Sequence, residues 1–212
     1  MAKGLIRSEI ANNAILVTSE TYSKHIHPQD RANRSIFGDG AAATLLTKED
    51  VSKIFDFELG TDGQGKQNLI VESGAMRKQK DPGKIPFIDE NGNFFSSDHL
   101  YMNGPEIFNF TIEKVPLVVS NVLYKNNLNI GEIDYFIFHQ ANKYMLEYLR
   151  KKIKIPPEKF YNDILMTGNT VSATIPIAIK NAWDNHLIKS GNKLLLVGFG
   201  VGYSWGATII TL

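Results

Sequence analysis

The sequence predicts an α/β fold, and three observations support this fold class. Short apolar runs bounded by polar residues, at 14–17, 135–138 and 194–197, are typical of buried strands. Segments with helical spacing of apolar residues lie between these runs. The two kinds of segment alternate along the chain, which favours a mainly parallel sheet. A chain of 212 residues is long enough to bury a stable core in one large domain or two small ones.

Three segments carry apolar residues on one helical face. The first has a proline, Pro116, at which we expect a kink, and the last has Ser172 as its expected N-cap. The apolar positions are Phe108, Ile112, Val115, Val119 and Val122 in the first segment, Met145, Leu146, Leu149 and Ile153 in the second, and Ile175, Ala178, Ile179, Ala182 and Trp183 in the third.

Two parts of the chain are similar to each other. "NNAILVTSE" followed by "FGDGAAATLLT" near the start is similar to "GNKLLLVGFG" followed by "SWGATIITL" near the end, which suggests an internal duplication. Between them, residues 60–104 are rich in Gly, Asp, Asn and Lys and predict long loops with short strands at most. Residues 2–10 have the pattern of the last turns of a helix, so the chain is expected to be N-terminally truncated.

Composition excludes several classes of function. A formal net charge of +1 gives no reason to expect nucleic acid or a membrane surface as partner. No apolar stretch approaches the ~18 residues of a membrane span. The absence of cysteine excludes disulfides and thiolate metal sites within the chain and fits a cytoplasmic protein. His25 and His27 could ligate a metal, but no third ligand is evident nearby, so no metal site is predicted.

Two polar residues follow structural elements at positions suited to chemistry. His139 comes directly after the predicted strand 135–138, where catalytic groups collect in open α/β sheets; it could equally be a core histidine bonded to a carbonyl group. Asn169, in "TGNTVSAT", precedes a helix and could be only a turn or cap residue.

A glycine-rich segment, "GFGVGYSWGA" at 198–207, provides a third candidate. It does not fit a phosphate loop, because position 205 is Trp and a strand rather than a helix follows. It could present backbone N–H groups to an oxyanion, or form a tight corner of a sheet.

Taken in order, these motifs resemble one family. "HQAN" at 139–142, "GNT" at 168–170, and "GFGVG" at 198–202 before Trp205-Gly206 are similar to the C-terminal half of 3-oxoacyl-acyl-carrier-protein synthase III. "DRANRSIFGDGAAATLL" at 30–46 resembles a segment of the first half of that family. The resemblance extends along most of the chain and is weakest over 66–100.

The resemblance implies a thiolase-like fold, with duplicated α/β halves in an αβαβα layering. Residues 1–100 would be the remnant of the first half, including the loops at 60–104, and residues 101–212 the second half. The implied enzyme is an acyltransferase. It transfers an acyl group from acyl-CoA to a cysteine, which then undergoes a decarboxylating Claisen condensation with malonyl-acyl carrier protein. By comparison, that cysteine would lie roughly ten residues before Met1, so this chain alone is expected to be inactive as a condensing enzyme: it should form no acyl-enzyme and catalyse no condensation.

The resemblance also implies roles for individual residues. His139 and Asn169 match the two donors to the enolate, and the backbone N–H of Val201 matches an oxyanion donor, although the family usually has glycine there. Phe199 matches an aromatic residue beside the site, and Arg31 matches an arginine that holds the nucleotide of coenzyme A. Substrate binding is also assigned to Asn142 and Lys143, the latter because Tyr144 stands where the family has a carrier-docking arginine.

Other properties follow from the resemblance as expectations. The intact protein is expected to be a homodimer with no metal or organic cofactor, using coenzyme A and phosphopantetheine thioesters as substrates. The alternative is a non-catalytic thiolase-fold partner subunit or an acyl-thioester-binding module. An α/β hydrolase is excluded because no G-x-S-x-G motif is present. The acyl chain and the pathway stay open.

Overall fold

A computed structural model of the protein describes residues 1–74, 76–80, 85–88 and 92–212. The α-helices are α1 Ala2–Arg7, α2 Arg31–Arg34, α3 Gly104–Lys125, α4 Lys143–Ile153, α5 Ile164–Thr167 and α6 Thr174–Asp184. The strands are β1 Asn13–Glu20, β2 Gly40–Thr47, β3 Glu58–Thr61, β4 Leu69–Val71, β5 Phe87–Ile88, β6 Phe94–Phe95, β7 Leu100–Met102, β8 Tyr135–Phe138, β9 Lys193–Gly200 and β10 Ser204–Thr211. The fold is therefore α/β, as predicted.

A four-stranded sheet in the order β3-β10-β9-β8 forms the centre of the molecule. β8 pairs with β9 in parallel, but β9 with β10 and β10 with β3 are antiparallel. The prediction of a mainly parallel sheet is therefore wrong. The reason is local: a short turn at 201–203 joins β9 to β10, and a connection this short can only return the chain antiparallel.

Helices cover both faces of this sheet. Phe136 and Phe138 of β8 pack into one buried cluster with residues of α3 and α4, whereas Ile137 packs into a second cluster with Ala178 and Ala182 of α6. A strand that is buried on both faces has an uninterrupted apolar run, because alternate side chains point to opposite faces. This explains the pattern at 135–138.

The helical predictions hold with two corrections. Pro116 lies inside α3, and Met145, Leu146 and Leu149 of α4 are buried, as predicted. Ser172 is not an N-cap, because a turn of 3-10 helix at 171–173 precedes α6 and the Ser172 hydroxyl donates to Glu20 instead. Trp183, predicted on the buried face, is 45% exposed.

The strand at the N-terminal end departs from the prediction. β1 pairs only with β2 in an antiparallel two-stranded sheet, among the residues described. Ile15, Leu16 and Val17 are 68%, 53% and 65% exposed, so the prediction of a buried strand is wrong for this segment. The apolar run makes a good strand, but two strands without a layer packed on each face cannot bury its side chains.

In the remaining segments, the structure agrees with what the sequence predicts. β1–β2 and β9–β10 are both antiparallel pairs of eight-residue strands, in line with the internal similarity. Over 60–104, the described residues form loops with a 3-10 helix at Gly63–Gln67, the end of β3 and strands of two or three residues; residues 75, 81–84 and 89–91 lie outside the described part. The division of the chain into two halves near residue 100 stays a prediction. β3, from the first part, pairs with β10, from the second. No described helix is long and apolar enough to cross a membrane.

Candidate active site

A cavity of about 420 Å³ lies beside the carboxyl ends of β8 and β9. Four sequence-predicted residues that line it come from these strand ends and the segment before α6: His139, Asn169, Phe199 and Val201. Parallel strands end at the same edge of a sheet, which places His139 and Phe199 together. The segment at 168–175 then passes the same edge and adds Asn169.

His139 lies between β8 and α4, and its backbone N–H donates to the carbonyl of Val197 at 2.7 Å. The ring meets Phe199 edge to face, with 5.3 Å between centroids and an angle of 85°. Burial lowers the pKa of His139 to about 4, and the Val171 carbonyl opposes this shift only in part. The imidazole is therefore neutral at pH 7 and keeps one N–H that can donate a hydrogen bond.

Asn169 is held on both its backbone and its side chain. Its backbone N–H donates to Ile36 at 2.9 Å, and its carbonyl accepts from Gly38 at 3.0 Å. Its Oδ1 accepts from the backbone N–H of Val171 at 2.9 Å. Because an N–H group can only face the oxygen of the amide, the NH₂ group is left to donate to a ligand in the cavity.

Backbone strain accompanies this segment. Gly168 has φ of +66°, and a Cβ there would come within 3.2 Å of the Ile36 carbonyl oxygen, so glycine is needed. Val171 has φ of +54°, which is rare for a β-branched residue. Strained backbone of this kind clusters at functional sites.

Asn142 lines the cavity, but its side chain caps α4 by accepting from the backbone N–H of Met145 at 2.8 Å. Arg31 and Lys143 are exposed and are not among the residues that line the cavity. Tyr144, at the position of the expected arginine, is 72% exposed and stacks on Phe108 with centroids 5.7 Å apart.

Three residues at or behind the site were missed by sequence reasoning. Tyr22 lines the cavity and packs against Phe37 in a tilted arrangement, with 4.9 Å between ring centroids; burial raises the pKa of its hydroxyl group. Thr174 contacts the His139 ring. Gln140 is buried and joins Phe138 to Asp163. The "HQAN" motif contains Gln140, but nothing in the pattern assigns it a contact, and no motif includes Tyr22.

Metal binding has no support in the geometry. The described residues contain no group of three or more His, Asp or Glu side chains that could hold a metal ion. His27 instead stacks on Phe94, with centroids 5.2 Å apart. The site therefore offers hydrogen-bond donors, from His139 and Asn169, on one side of a largely apolar cavity.

Comparison with known proteins identifies the family of this chain. The family described as "3-Oxoacyl-[acyl-carrier-protein (ACP)] synthase III C terminal" matches residues 123–212, and "3-Oxoacyl-[acyl-carrier-protein (ACP)] synthase III" matches residues 1–63. The fold and the cavity thus define a thiolase-like protein. The chain belongs to the 3-oxoacyl-acyl-carrier-protein synthase III family.

Two curated relatives show the extent of the similarity. The beta-ketoacyl-[acyl-carrier-protein] synthase III of Clostridium perfringens is 38% identical over 213 residues, covering 100% of this chain and 63% of the relative. That of Porphyra umbilicalis is 34% identical over 210 residues, covering 99% and 62%. The chain therefore spans about 63% of the length of the curated relatives it matches.

Solved structures show the same fold. A crystal structure of a 3-oxoacyl-(acyl-carrier-protein) synthase III matches with a TM-score of 0.97 and 42% identity, covering 100% of this chain and 64% of the other. The enzyme from Thermus thermophilus matches with a TM-score of 0.85 and 31% identity, covering 100% and 62%.

Proposed function

We propose that this chain provides the enolate-stabilising part of an acyltransferase that joins an acyl group to a malonyl thioester by decarboxylating Claisen condensation. The observation that carries the proposal is the pairing of His139 and Asn169 on one cavity. His139 is neutral there, and the amide of Asn169 is turned so that its NH₂ group is free. Two donors of this kind are what an enolate oxygen needs.

The donors act when the malonyl thioester loses its carboxylate. As the C–C bond to CO₂ breaks, its electron pair moves into the thioester and places negative charge on the thioester oxygen. Hydrogen bonds from His139 and Asn169 stabilise that charge, and one such donor is typically worth ~3 kcal/mol of barrier. The carbanion then attacks the acyl group on the nucleophile and expels its thiolate, giving a 3-oxoacyl thioester.

The nucleophile is proposed to be a cysteine outside these 212 residues, since the chain contains none. A thiol at a helix N-terminus has a lowered pKa and attacks an acyl thioester readily. The tetrahedral oxyanion would be held by the backbone N–H groups of that cysteine and of Val201. Val201 lines the cavity, and its isopropyl group would narrow the space beside the acyl group.

Substrate binding and assembly are proposed from the family. Arg31 would bind the nucleotide of coenzyme A, with a planar guanidinium suited to phosphate and to stacking. Lys143, with Asn142 beside it, would meet the phosphopantetheine of an acyl carrier protein. The whole protein is proposed to be a cytoplasmic homodimer. Each step uses side-chain or backbone groups of the polypeptide, so no cofactor is assigned a role.

The experiment that tests the proposed donors uses the chain itself. Decarboxylation of malonyl-CoA needs the enolate donors but not the nucleophile, and protonation of the enolate by water gives acetyl-CoA. We expect the chain to release acetyl-CoA above background, and His139→Ala or Asn169→Ala to reduce the rate by about 100-fold. Lys180→Ala, on the exposed side of α6, is the control for expression and folding.

Two outcomes contradict the proposal. Malonyl-CoA that binds the chain and decarboxylates only at the background rate would show that the two donors have no catalytic effect. Intact-mass spectrometry after incubation with acyl-CoAs should show no acyl adduct, because the chain has no cysteine; an adduct would place the nucleophile on another residue.

A second candidate is a non-catalytic module that binds acyl thioesters. The Val201 side chain at the proposed oxyanion position favours it. This candidate predicts binding of acyl-CoA and malonyl-CoA with no decarboxylation, so the same assay separates the two functions.

A further inference from the structure

The hydroxyl group of Thr174 lies between a nitrogen of the His139 ring and a backbone carbonyl group. Its Oγ1 is 2.7 Å from Nδ1 of His139 and 2.9 Å from the carbonyl oxygen of Val171. Thr174 is only 3% exposed, although it borders the cavity, and it is the first residue of α6. A buried hydroxyl with one proton can donate to only one of these two atoms.

Two arrangements of protons fit these distances. In the first, the Thr174 hydroxyl donates to Nδ1, so the ring proton is on Nε2. In the second, Nδ1–H donates to Oγ1 and the hydroxyl donates to Val171, so Nε2 has a lone pair. Only the first leaves His139 with an N–H bond that is free to serve the cavity.

The surroundings favour the first arrangement. The Val171 carbonyl already accepts the backbone N–H of Thr174, so it does not need the hydroxyl proton. Among the described residues, the Thr174 hydroxyl is the group found within hydrogen-bond distance of Nδ1, where it can donate or accept.

We propose that Thr174 is a positioning residue that donates its hydroxyl proton to Nδ1 of His139 and thereby fixes the Nε2–H tautomer. This rests on the proposed function only in that the enolate is the acceptor for Nε2–H. The tautomer itself is a property of this chain, since both residues and the Val171 carbonyl belong to it. Groups that bond the far nitrogen of a functional histidine set its tautomer and orientation in the same way.

The test is NMR of the full chain with ¹⁵N-labelled histidine at pH 7, using two-bond ¹H–¹⁵N couplings to identify the protonated ring nitrogen. His139→Asn assigns the signals. We expect Nε2 to be protonated in the unmodified chain. Thr174→Val, which replaces the hydroxyl by a methyl of similar size, should shift the ring towards Nδ1–H, and Thr174→Ser should restore Nε2–H.

A catalytic readout accompanies the spectra. In the malonyl-CoA assay, Thr174→Val should lower kcat about tenfold, the lower end of the 10–100-fold effect known for groups that orient metal-ligating histidines, with KM changed less. Thr174→Ser should recover the rate. A lack of decarboxylation in the unmodified chain would overturn the proposed function without affecting the tautomer. A protonated Nδ1 in the unmodified chain, or an unchanged tautomer in Thr174→Val, would overturn the role of Thr174.

Discussion

The backbone N–H of Val171 donates to Oδ1 of Asn169 at 2.9 Å, and this contact decides which end of the Asn169 amide faces the cavity. It spans only two residues, and it is made while Val171 has φ of +54°. The strained backbone and the amide orientation therefore belong to one local arrangement.

Replacement of Asn169 by Asp should separate orientation from donation. A carboxylate keeps the acceptor for the Val171 N–H but has no N–H to give, and its charge repels an enolate. We expect Asn169→Asp to lower malonyl-CoA decarboxylation by at least about 100-fold, measured as acetyl-CoA release. Circular dichroism should show the fold retained. A variant that decarboxylates at the unmodified rate would mean that the Asn169 NH₂ group is not a donor in the reaction.

Replacement of Val171 should reveal the cost of its backbone conformation. A left-handed conformation costs a residue with a Cβ about 1–2 kcal/mol. Glycine avoids this cost, but its more flexible unfolded state lowers the free energy of unfolding by about 0.5–1 kcal/mol, which offsets part of the benefit. We expect Val171→Gly to be more stable than Val171→Ala by roughly 0.5–1 kcal/mol in urea denaturation. The alanine variant is the matched control, because it removes the same side chain and keeps the Cβ. Equal stability of the two variants would contradict the prediction.

The free energy of unfolding should decrease as the pH is lowered, because of His139. Burial lowers the pKa of His139 from 6.5 to about 4, so between these values the unfolded chain binds a proton that the folded chain does not. The free energy of unfolding should therefore decrease as pH falls through this window and be insensitive to His139 above it. The loss from this group is about 2 kcal/mol between pH 7 and pH 5.

His139→Asn is the control for this measurement, with urea denaturation at each pH. The variant should lack the contribution of His139 while keeping that of His99, whose pKa is also lowered by burial. If the difference in unfolding free energy between the two proteins is the same at pH 5 and pH 7, His139 does not titrate as expected.

Gln140 should contribute to stability and to the position of the site. It is 1% exposed; its Nε2 donates to the Phe138 carbonyl at 2.7 Å, and its Oε1 accepts from the Asp163 N–H at 2.9 Å. Gln140→Leu leaves both backbone groups unpaired, and we expect a loss of about 2–4 kcal/mol. Gln140→Glu keeps the oxygen that accepts from the Asp163 N–H and, when the carboxyl group is protonated, also a donor to the Phe138 carbonyl. The glutamate variant should therefore lose less stability than the leucine variant. Thermal denaturation of the two variants measures the difference, and a larger loss for Glu would contradict this account.

The sequence predicted elements whose cause is local. The apolar run at 135–138 made β8 predictable, and its end placed His139 at the cavity. Asn142 and Gly168 also act locally, as a helix cap and a left-handed residue. These properties depend on neighbouring residues, so the order of residue types is enough to reveal them.

Properties that depend on distant partners were not predictable. The apolar run at 14–17 gives a strand whether or not another layer covers it, so its exposure could not be read from the pattern. The antiparallel pairing of β10 with β3 joins residues as far apart in the sequence as Ser204 and Thr61, so this part of the sheet could not be read from the pattern. Thr174 contacts His139 across 35 positions of sequence, and no spacing rule brings a threonine to a histidine over that separation.

The bonds that join Asn169 to Ile36 and Gly38 have a consequence for the order of folding. Residues 36–38 are synthesised well before Asn169. The segment that contains Asn169 can therefore pair with a backbone edge that is already present. Closing so long a loop costs entropy, and that cost must be met before Asn169 reaches its place. The pairing of the two donors is therefore a late event, and catalytic competence should lag behind the appearance of helical structure during refolding.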